Sequence, residues 1–132
     1  MYMLDSNICI YLINNKSASL TQRIANVQFN LLFISSIVIA ELEYGVAKST
    51  NKDKNSKALN NFTYGFNIVS FDTEASKEYG IIRASLEMCG NTIGANDMLI
   101  AAHAKSRGDI LVTSNKREFD RIEGLVVEDW LL

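Results

Sequence analysis

Short apolar runs alternate with longer amphipathic segments along this chain, and that alternation is the feature that most limits its fold. The runs that predict buried strands cover residues 1–4, 31–34, 67–71, 110–113 and 125–127. Segments with helical spacing of apolar residues lie between them. Apolar strands separated by helices are typical of a parallel sheet covered on both faces. We therefore predict an α/β fold with a central, mainly parallel sheet of four to five strands flanked by helices.

Spacing and capping residues predict the helices. We expect helices over residues 8–14, 37–48, 58–62, 73–89 and 96–105. The long helix that begins after Asp72 has the clearest core stripe, which ends at Cys89 with Gly90 as its stop. Both Cys9 and Cys89 lie in apolar stretches, so we expect them to be core thiols.

Composition limits the functions that the chain can have. With 132 residues and 48% hydrophobic content we expect a single domain over residues 1–132. The formal net charge is −2, so a nucleic-acid partner would have to be recognised by a local patch. No apolar run approaches the roughly 20 residues of a membrane helix, and no signal peptide is recognisable. We expect a cytoplasmic protein with no membrane contact.

Four acidic side chains recur at predicted strand ends or helix starts. Asp5 follows the first strand, Glu41 lies in the second helix, Asp97 begins a later helix, and Glu118 follows the Ile110 strand. In open α/β sheets ligands collect beyond the carboxyl ends of the strands. Carboxylates gathered there favour a divalent cation and phosphate chemistry.

Each acid also has a simpler explanation. Asp5 and Asp97 could cap the helices that they precede, and Glu41 and Glu118 could be solvated surface charges. Glu43 lies about 200° from Glu41 around the helix, so only one of them can face a site. Asp97 lies at the start of its helix, and we expect the helix dipole to help keep it ionised.

His103 is the only histidine, so this chain alone cannot provide a histidine pair for attack by a ribose 2′-hydroxyl. It lies about 120° from Asp97 around the helix and is poorly placed as a ligand beside it. We interpret it as a packing or surface residue.

Taken together, the motifs resemble those of VapC toxins, the PIN-domain ribonucleases of type II toxin–antitoxin modules, over nearly the whole chain. The motifs that carry the resemblance are Leu4-Asp5-Ser6-Asn7, Ala40-Glu41-Leu42-Glu43-Tyr44-Gly45, Ile93-Gly94-Ala95-Asn96-Asp97 and Leu111-Val112-Thr113-Ser114-Asn115.

The resemblance implies that Asp5, Glu41 and Asp97 bind Mg²⁺, with Mn²⁺ as an alternative, while Glu118 provides a fourth, more peripheral carboxylate. It also implies that a metal-activated water hydrolyses RNA, with tRNA among the substrates of such toxins. The products would carry a 5′-phosphate and a 3′-hydroxyl.

Two departures from the motif stand beside the acids. Ser6 replaces the usual Thr and keeps its hydroxyl, and Asn115 stands where many PIN domains have a further Asp. The basic side chains that could grip RNA follow Asn115 or end the Asp97 helix; they are Lys116, Arg117, Arg121, Lys105 and Arg107. Tyr11 and Tyr44 could stack on bases, although aromatic residues at helical spacing are more often core or interface residues.

The same resemblance implies partners. We expect a homodimer, inhibited by a VapB-type antitoxin whose extended segment lies in an apolar groove. A basic antitoxin side chain would complement an acidic site. Operator DNA would be bound only through the antitoxin complex.

Three other functions fit parts of the pattern. A phosphoacceptor receiver domain would have an acidic neighbour beside Asp5 and a Lys after the last strand, and both are absent. A PIN-domain protein without nuclease activity would lack one or more of these acidic residues. A DNA-directed nuclease of the same fold would need additional elements that clamp duplex DNA.

Overall fold

A parallel sheet forms the centre of the computed structural model, which describes residues 1–131. Its strands are β1 (Tyr2–Leu4), β2 (Leu32–Ser35), β3 (Asn67–Val69), β4 (Ile110–Val112) and β5 (Val127–Glu128). The five strands lie in the order β3-β2-β1-β4-β5, and each neighbouring pair is parallel. The prediction of a mainly parallel sheet of four to five strands is confirmed.

Helices connect the strands and cover the sheet. They are α1 (Ser6–Ile13), α2 (Ala18–Ala25), α3 (Ser36–Ala47), α4 (Lys52–Thr63), α5 (Thr73–Met88), α6 (Ala95–Arg107) and α7 (Lys116–Phe119). The sequence did not predict α2, whose start is capped by the Ser17 hydroxyl, which accepts a hydrogen bond from the Leu20 amide at 3.2 Å. Within residues 1–131, none of these helices combines the length and the apolarity that a membrane crossing requires.

The prediction that one face of α5 packs into the core is confirmed except at its last position. Leu86 is buried, but Cys89 is exposed. The prediction that Cys89 is a core thiol is wrong because α5 ends at Met88 and Gly90, with φ of 63°, turns the chain away. Cys9 is buried, as predicted.

The chain changes direction across the sheet between β1 and β4. From the central β1 it builds β2 and β3 on one side, then crosses to β4 and β5 on the other. Leu4 pairs with Val112, and the Asp5 amide donates to the Val112 carbonyl at 2.9 Å. Asp5 and Thr113 therefore emerge side by side at the carboxyl edge, where the topology opens a crevice.

Candidate active site

Asp5 lies at the bottom of this crevice with 3% of its surface exposed. The Thr113 hydroxyl donates to its Oδ2 at 2.6 Å, and the Ser6 amide donates to its Oδ1 at 2.7 Å. Asp5 is therefore the N-cap of α1 as well as a candidate ligand. Burial raises the pKa of the Asp5 carboxyl, against the hydrogen bonds from Thr113 and Ser6.

Glu41 reaches the same crevice from α3. Its Oε1 is buried and has no hydrogen-bond partner among the described residues. Burial and then the Asp5 charge raise the pKa of Glu41, while contacts with Asn96 and Ser6 oppose the shift. Glu43 is exposed, so the predicted divergence of the two glutamates is confirmed. A buried carboxylate oxygen without a donor is unusual in a folded protein and is free to accept a ligand.

Asp97 enters from the first turn of α6. Burial, followed by the charges of Asp5, Glu118 and Glu41, raises its pKa to about 6. Burial and neighbouring carboxylates outweigh the helix dipole, which contributes about 1 kcal/mol or less at a helix end, and its help in keeping Asp97 ionised stays a prediction. Glu118 therefore lies close enough to Asp97 to be among the groups that raise its pKa.

Asn115 fixes the fourth acid to the end of β4. Its side-chain amide donates to Glu118 Oε2 at 2.9 Å, and its backbone amide donates to the Thr113 hydroxyl at 3.0 Å. The Thr113 hydroxyl thus joins Asp5 to the segment that holds Glu118. Thr113 is a site residue that the sequence analysis missed, although its position directly after β4 was a usable signal.

The structure brings the four acids to one edge without placing them in chelating positions. Among residues 1–131, no three Asp, Glu, His or Cys side chains are arranged to hold an ion as they stand. Asp5 and Glu118 are each held by hydrogen-bond donors, and the carboxylates repel one another. All the atoms of this cluster that could bind a metal are carboxylate oxygens, and Glu41 Oε1 has no hydrogen-bond partner among the described residues. That chemistry fits a hard divalent cation, once side chains rotate toward it.

The basic side chains are distributed unevenly around this site. Lys116 is exposed and bonds both carboxylate oxygens of Asp120, at 2.8 and 3.0 Å, while Arg117 is exposed beside it. The other candidates are engaged elsewhere: Lys105 pairs with Glu78 at 3.6 Å, Arg107 pairs with Asp109 at 2.7 Å, and Arg121 donates to the Thr92 carbonyl at 3.1 Å. The C-terminal end of α6 leads into β4 at the amino edge of the sheet. Lys105 and Arg107 therefore do not line the acid cluster.

His103 links the helices that present Glu41 and Asp97. Its Nδ1 lies 2.7 Å from the Ser35 hydroxyl, and Ser35 caps α3 by accepting from the Ile37 amide. Burial lowers the pKa of His103, against its bond to the Ser70 carbonyl. A neutral ring that donates to Ser70 accepts from Ser35 at Nδ1. The packing role is confirmed, and the polar link between α6 and α3 was missed.

Known proteins share this fold and sequence over almost their whole length. Residues 2–125 match the PIN domain family. The tRNA(fMet)-specific endonuclease VapC of Shigella flexneri is 43% identical over 129 residues, which cover 98% of this chain and 97% of that protein. Ribonuclease VapC2 of Rickettsia felis is 44% identical over 131 residues, with 98% of each chain covered.

Solved structures give the same result. VapBC2 from Rickettsia felis bound to a DNA fragment from its promoter matches with a TM-score of 0.93 and 42% identity, covering 98% of both chains. DNA-bound VapBC from Salmonella typhimurium also matches with a TM-score of 0.93, at 41% identity, covering 98% of this chain and 97% of that one. The chain therefore belongs to the PIN-domain family and, within it, to the VapC ribonucleases of toxin–antitoxin modules.

Proposed function

We propose that this chain is the toxin of a type II module and that it hydrolyses RNA with a divalent cation bound by Asp5, Glu41 and Asp97. Glu118 is the fourth, more peripheral acid. The observation that carries the proposal is Glu41 Oε1, which is buried without a hydrogen-bond partner among the described residues, in a cluster whose charges also raise the pKa of Asp97. Negative charge buried without a cationic partner is stable only when it is neutralised.

Each residue of the site has a defined task in this reaction. A bound divalent cation supplies Lewis acidity, which lowers the pKa of a water and offsets charge on the phosphoryl oxygen. Thr113 and Ser6 orient the Asp5 oxygens toward the crevice, and Asn115 orients Glu118. Asp97 binds a proton more readily than an ordinary Asp in the metal-free cluster, because burial and the charges of its neighbours raise its pKa to about 6, and a bound cation would compete with that proton.

The substrate we infer is RNA, with initiator tRNA as the first candidate. This choice is supported by the 43% identical Shigella flexneri relative, which is named for tRNA(fMet). Mg²⁺ is the expected cation, with Mn²⁺ as an alternative, because both accept carboxylate oxygens. Substrate and antitoxin would meet the chain in the cytoplasm. Lys116 and Arg117 are candidates for the RNA backbone, and Arg117 has no carboxylate within 4 Å among residues 1–131.

A VapB-type antitoxin is the expected inhibitor. An apolar groove of about 470 Å³ runs between α1, α3 and α4 and has Glu41 at its edge. Ile13, Leu42 and Leu59 line it, so an extended apolar segment could lie there with a basic side chain against Glu41. We expect a homodimer of the toxin, and operator DNA bound only by the antitoxin complex, as the promoter-bound VapBC2 relative suggests.

Cleavage of initiator tRNA by the purified, antitoxin-free protein tests this proposal. Mg²⁺ and Mn²⁺ are compared with EDTA, and the RNA ends are mapped. Glu41→Gln should reduce the cleavage rate at least about 100-fold, because several kcal/mol of transition-state stabilisation depends on the cation. Glu43→Gln is the matched control, since Glu43 is exposed two residues along the same helix.

The proposal predicts fragments with 5′-phosphates that disappear in EDTA and in the Asp5→Asn, Asp97→Asn and Glu41→Gln variants. Cleavage that continues in EDTA, or that is unchanged by Glu41→Gln, would contradict the metal-dependent mechanism. Cleavage of other RNAs in place of initiator tRNA would leave the mechanism standing and change only the substrate.

A further inference from the structure

A second groove adjoins the acid cluster on the other side of α3. It has a volume of about 620 Å³ and lies between α1, α3 and α6. Glu41 borders both grooves, but the second also contains Ser6 and Asn96, which contact Glu41. A molecule that lies in this groove therefore lies against Glu41, one of the three predicted cation ligands.

Tyr44 is the aromatic side chain that lines this second groove. It follows Glu41 by three residues on α3 and is 66% exposed. Residues three apart lie on the same face of a helix, so the ring stands one turn from the acid cluster. Tyr11, the other candidate for base stacking, is 37% exposed and does not line this groove. An exposed ring in a groove beside a nuclease site fits a nucleobase, because every base offers a stacking face.

Lys48 gives the groove the charge that an RNA strand requires. Its Nζ lies 4.8 Å from the centroid of the Tyr44 ring, and within residues 1–131 no carboxylate approaches it within 4 Å. The contrast with Lys116 is clear, since Lys116 is already paired with Asp120. A polyanion that approaches four carboxylates needs a local cation, and Lys48 is positioned to supply one at the rim.

Polar side chains complete the groove. Asn7 on α1 and Asn96 on α6 are both exposed and line it from opposite sides of the crevice. An amide side chain offers donors and an acceptor, which match the edge of a base or a ribose 2′-hydroxyl. The α1/α3/α4 groove is lined by neither Tyr44 nor Lys48.

We propose that the groove between α1, α3 and α6 is a nucleotide subsite in which a base next to the cleaved phosphate stacks on Tyr44 while Lys48 contacts the adjoining backbone. This inference rests on the proposed ribonuclease function and deepens it by assigning the path of single-stranded RNA across the protein.

Single-turnover cleavage over a range of RNA concentrations tests the subsite. Tyr44→Ala removes the stacking face, so it should raise the half-saturating RNA concentration about tenfold, which corresponds to about 1.4 kcal/mol. Tyr44→Trp should stay within about threefold of the wild type because it keeps a stacking face. Tyr64→Ala is the matched control: Tyr64 is 91% exposed at the end of α4 and lines neither groove.

Two further measurements separate RNA from a protein partner. Abasic substitutions on each side of the cut should identify one position at which Tyr44→Ala has no additional effect. Lys48→Ala should lower the salt dependence of RNA binding by about one phosphate contact. Equal behaviour of Tyr44→Ala and Tyr64→Ala, or a loss confined to antitoxin binding, overturns the subsite while wild-type cleavage continues. If the wild-type protein does not cut RNA with metal, the proposed function fails first, and that result is distinguishable.

Discussion

Two aspartates, Asp5 and Asp109, are buried to the same extent at opposite edges of the sheet, and only one of them has a cationic partner. Each is 3% exposed. Asp109 precedes β4 at the amino edge, where its Oδ2 lies 2.7 Å from Arg107 Nε, and the Arg107 guanidinium also lies 4.3 Å above the Phe33 ring. Asp5 follows β1 at the carboxyl edge, where hydroxyl and amide donors hold it among other carboxylates.

The difference separates a structural charge from a functional one. Burial of a carboxylate destabilises the fold unless a partner neutralises it. At the amino edge Arg107 neutralises Asp109 through Oδ2, although Oδ1 has no hydrogen-bond partner among the described residues. At the carboxyl edge no Lys, Arg or His of residues 1–131 forms an ion pair with Asp5, so neutralisation must come from a proton or from a bound cation. Four predictions test this comparison.

The largest effect should come from removing each charge in turn. Asp109→Asn should lower the free energy of unfolding by about 2 kcal/mol, because it leaves Arg107 partly buried without its partner. Asp5→Asn should change the metal-free value by less than about 1 kcal/mol, because the amide loses repulsion along with hydrogen bonds. Urea unfolding in EDTA, followed by the fluorescence of Trp130, measures both. A larger loss for Asp5→Asn would break the comparison.

Metal should stabilise one edge only. At ten times its dissociation constant, Mg²⁺ should raise the free energy of unfolding of the wild type by about 1.4 kcal/mol. Asp109→Asn should retain this increase and Asp5→Asn should lose it. Thermal unfolding with Mg²⁺ and with EDTA measures the effect without any substrate. An equal increase in both variants would place the cation elsewhere.

The carboxyl edge should also depend on pH. Asp97 has its pKa raised to about 6 in the fold, whereas about 3.9 is usual in an unfolded chain. The folded state thus binds the proton more tightly. Its contribution is complete below about pH 4 and is lost as the pH rises through 6, by about 1 kcal/mol after allowance for solvent screening.

His103 acts with the opposite sign because burial lowers its pKa. The quantity to measure is therefore the difference in free energy of unfolding between the wild type and Asp97→Asn, in EDTA from pH 4.5 to 7.5. This difference should decline as the pH rises. A constant difference would show that the pKa of Asp97 is not raised in the folded protein.

The smallest effect is expected for a carboxylate that is paired but exposed. Lys116 and Asp120 lie 2.8 Å apart with side chains 46% and 50% exposed. Asp120→Asn should change the free energy of unfolding by less than about 0.5 kcal/mol, because water already solvates both charges. A change as large as that of Asp109→Asn would show that pairing, and not burial, determines the stability of these groups.

Much of the fold could be predicted because strand and helix patterns are local. The apolar runs gave all the strands of the sheet, although the last begins at Val127 where residues 125–127 were expected. The helix α2 was missed because Leu20 is its one buried residue and its other positions are largely polar. With only eight residues, α2 offers Leu20 and Ile24 as a single apolar pair four residues apart, which is too short a pattern to stand out along the chain.

The site was predictable only in part. Acids that follow strands were expected at the carboxyl edge, and they lie there. The bond from Thr113 to Asp5 spans 108 residues, and that between His103 and Ser35 spans 68. Such contacts depend on which strands become neighbours, and the apolar pattern of a strand does not specify its neighbour. The raised pKa of Asp97 likewise arises from burial and then from carboxylates that distant parts of the chain bring beside it.

The unpaired Oε1 of Glu41 has a consequence for how variants of this chain behave in a cell. Replacing an acid of this cluster by its amide removes charge repulsion without opening a cavity or exposing apolar surface. Such a protein should fold, accumulate and resist proteolysis as well as the original while its cutting is abolished. The cellular abundance of such a variant would then give no measure of its toxicity, and genes for inactive variants would not be revealed by a loss of protein.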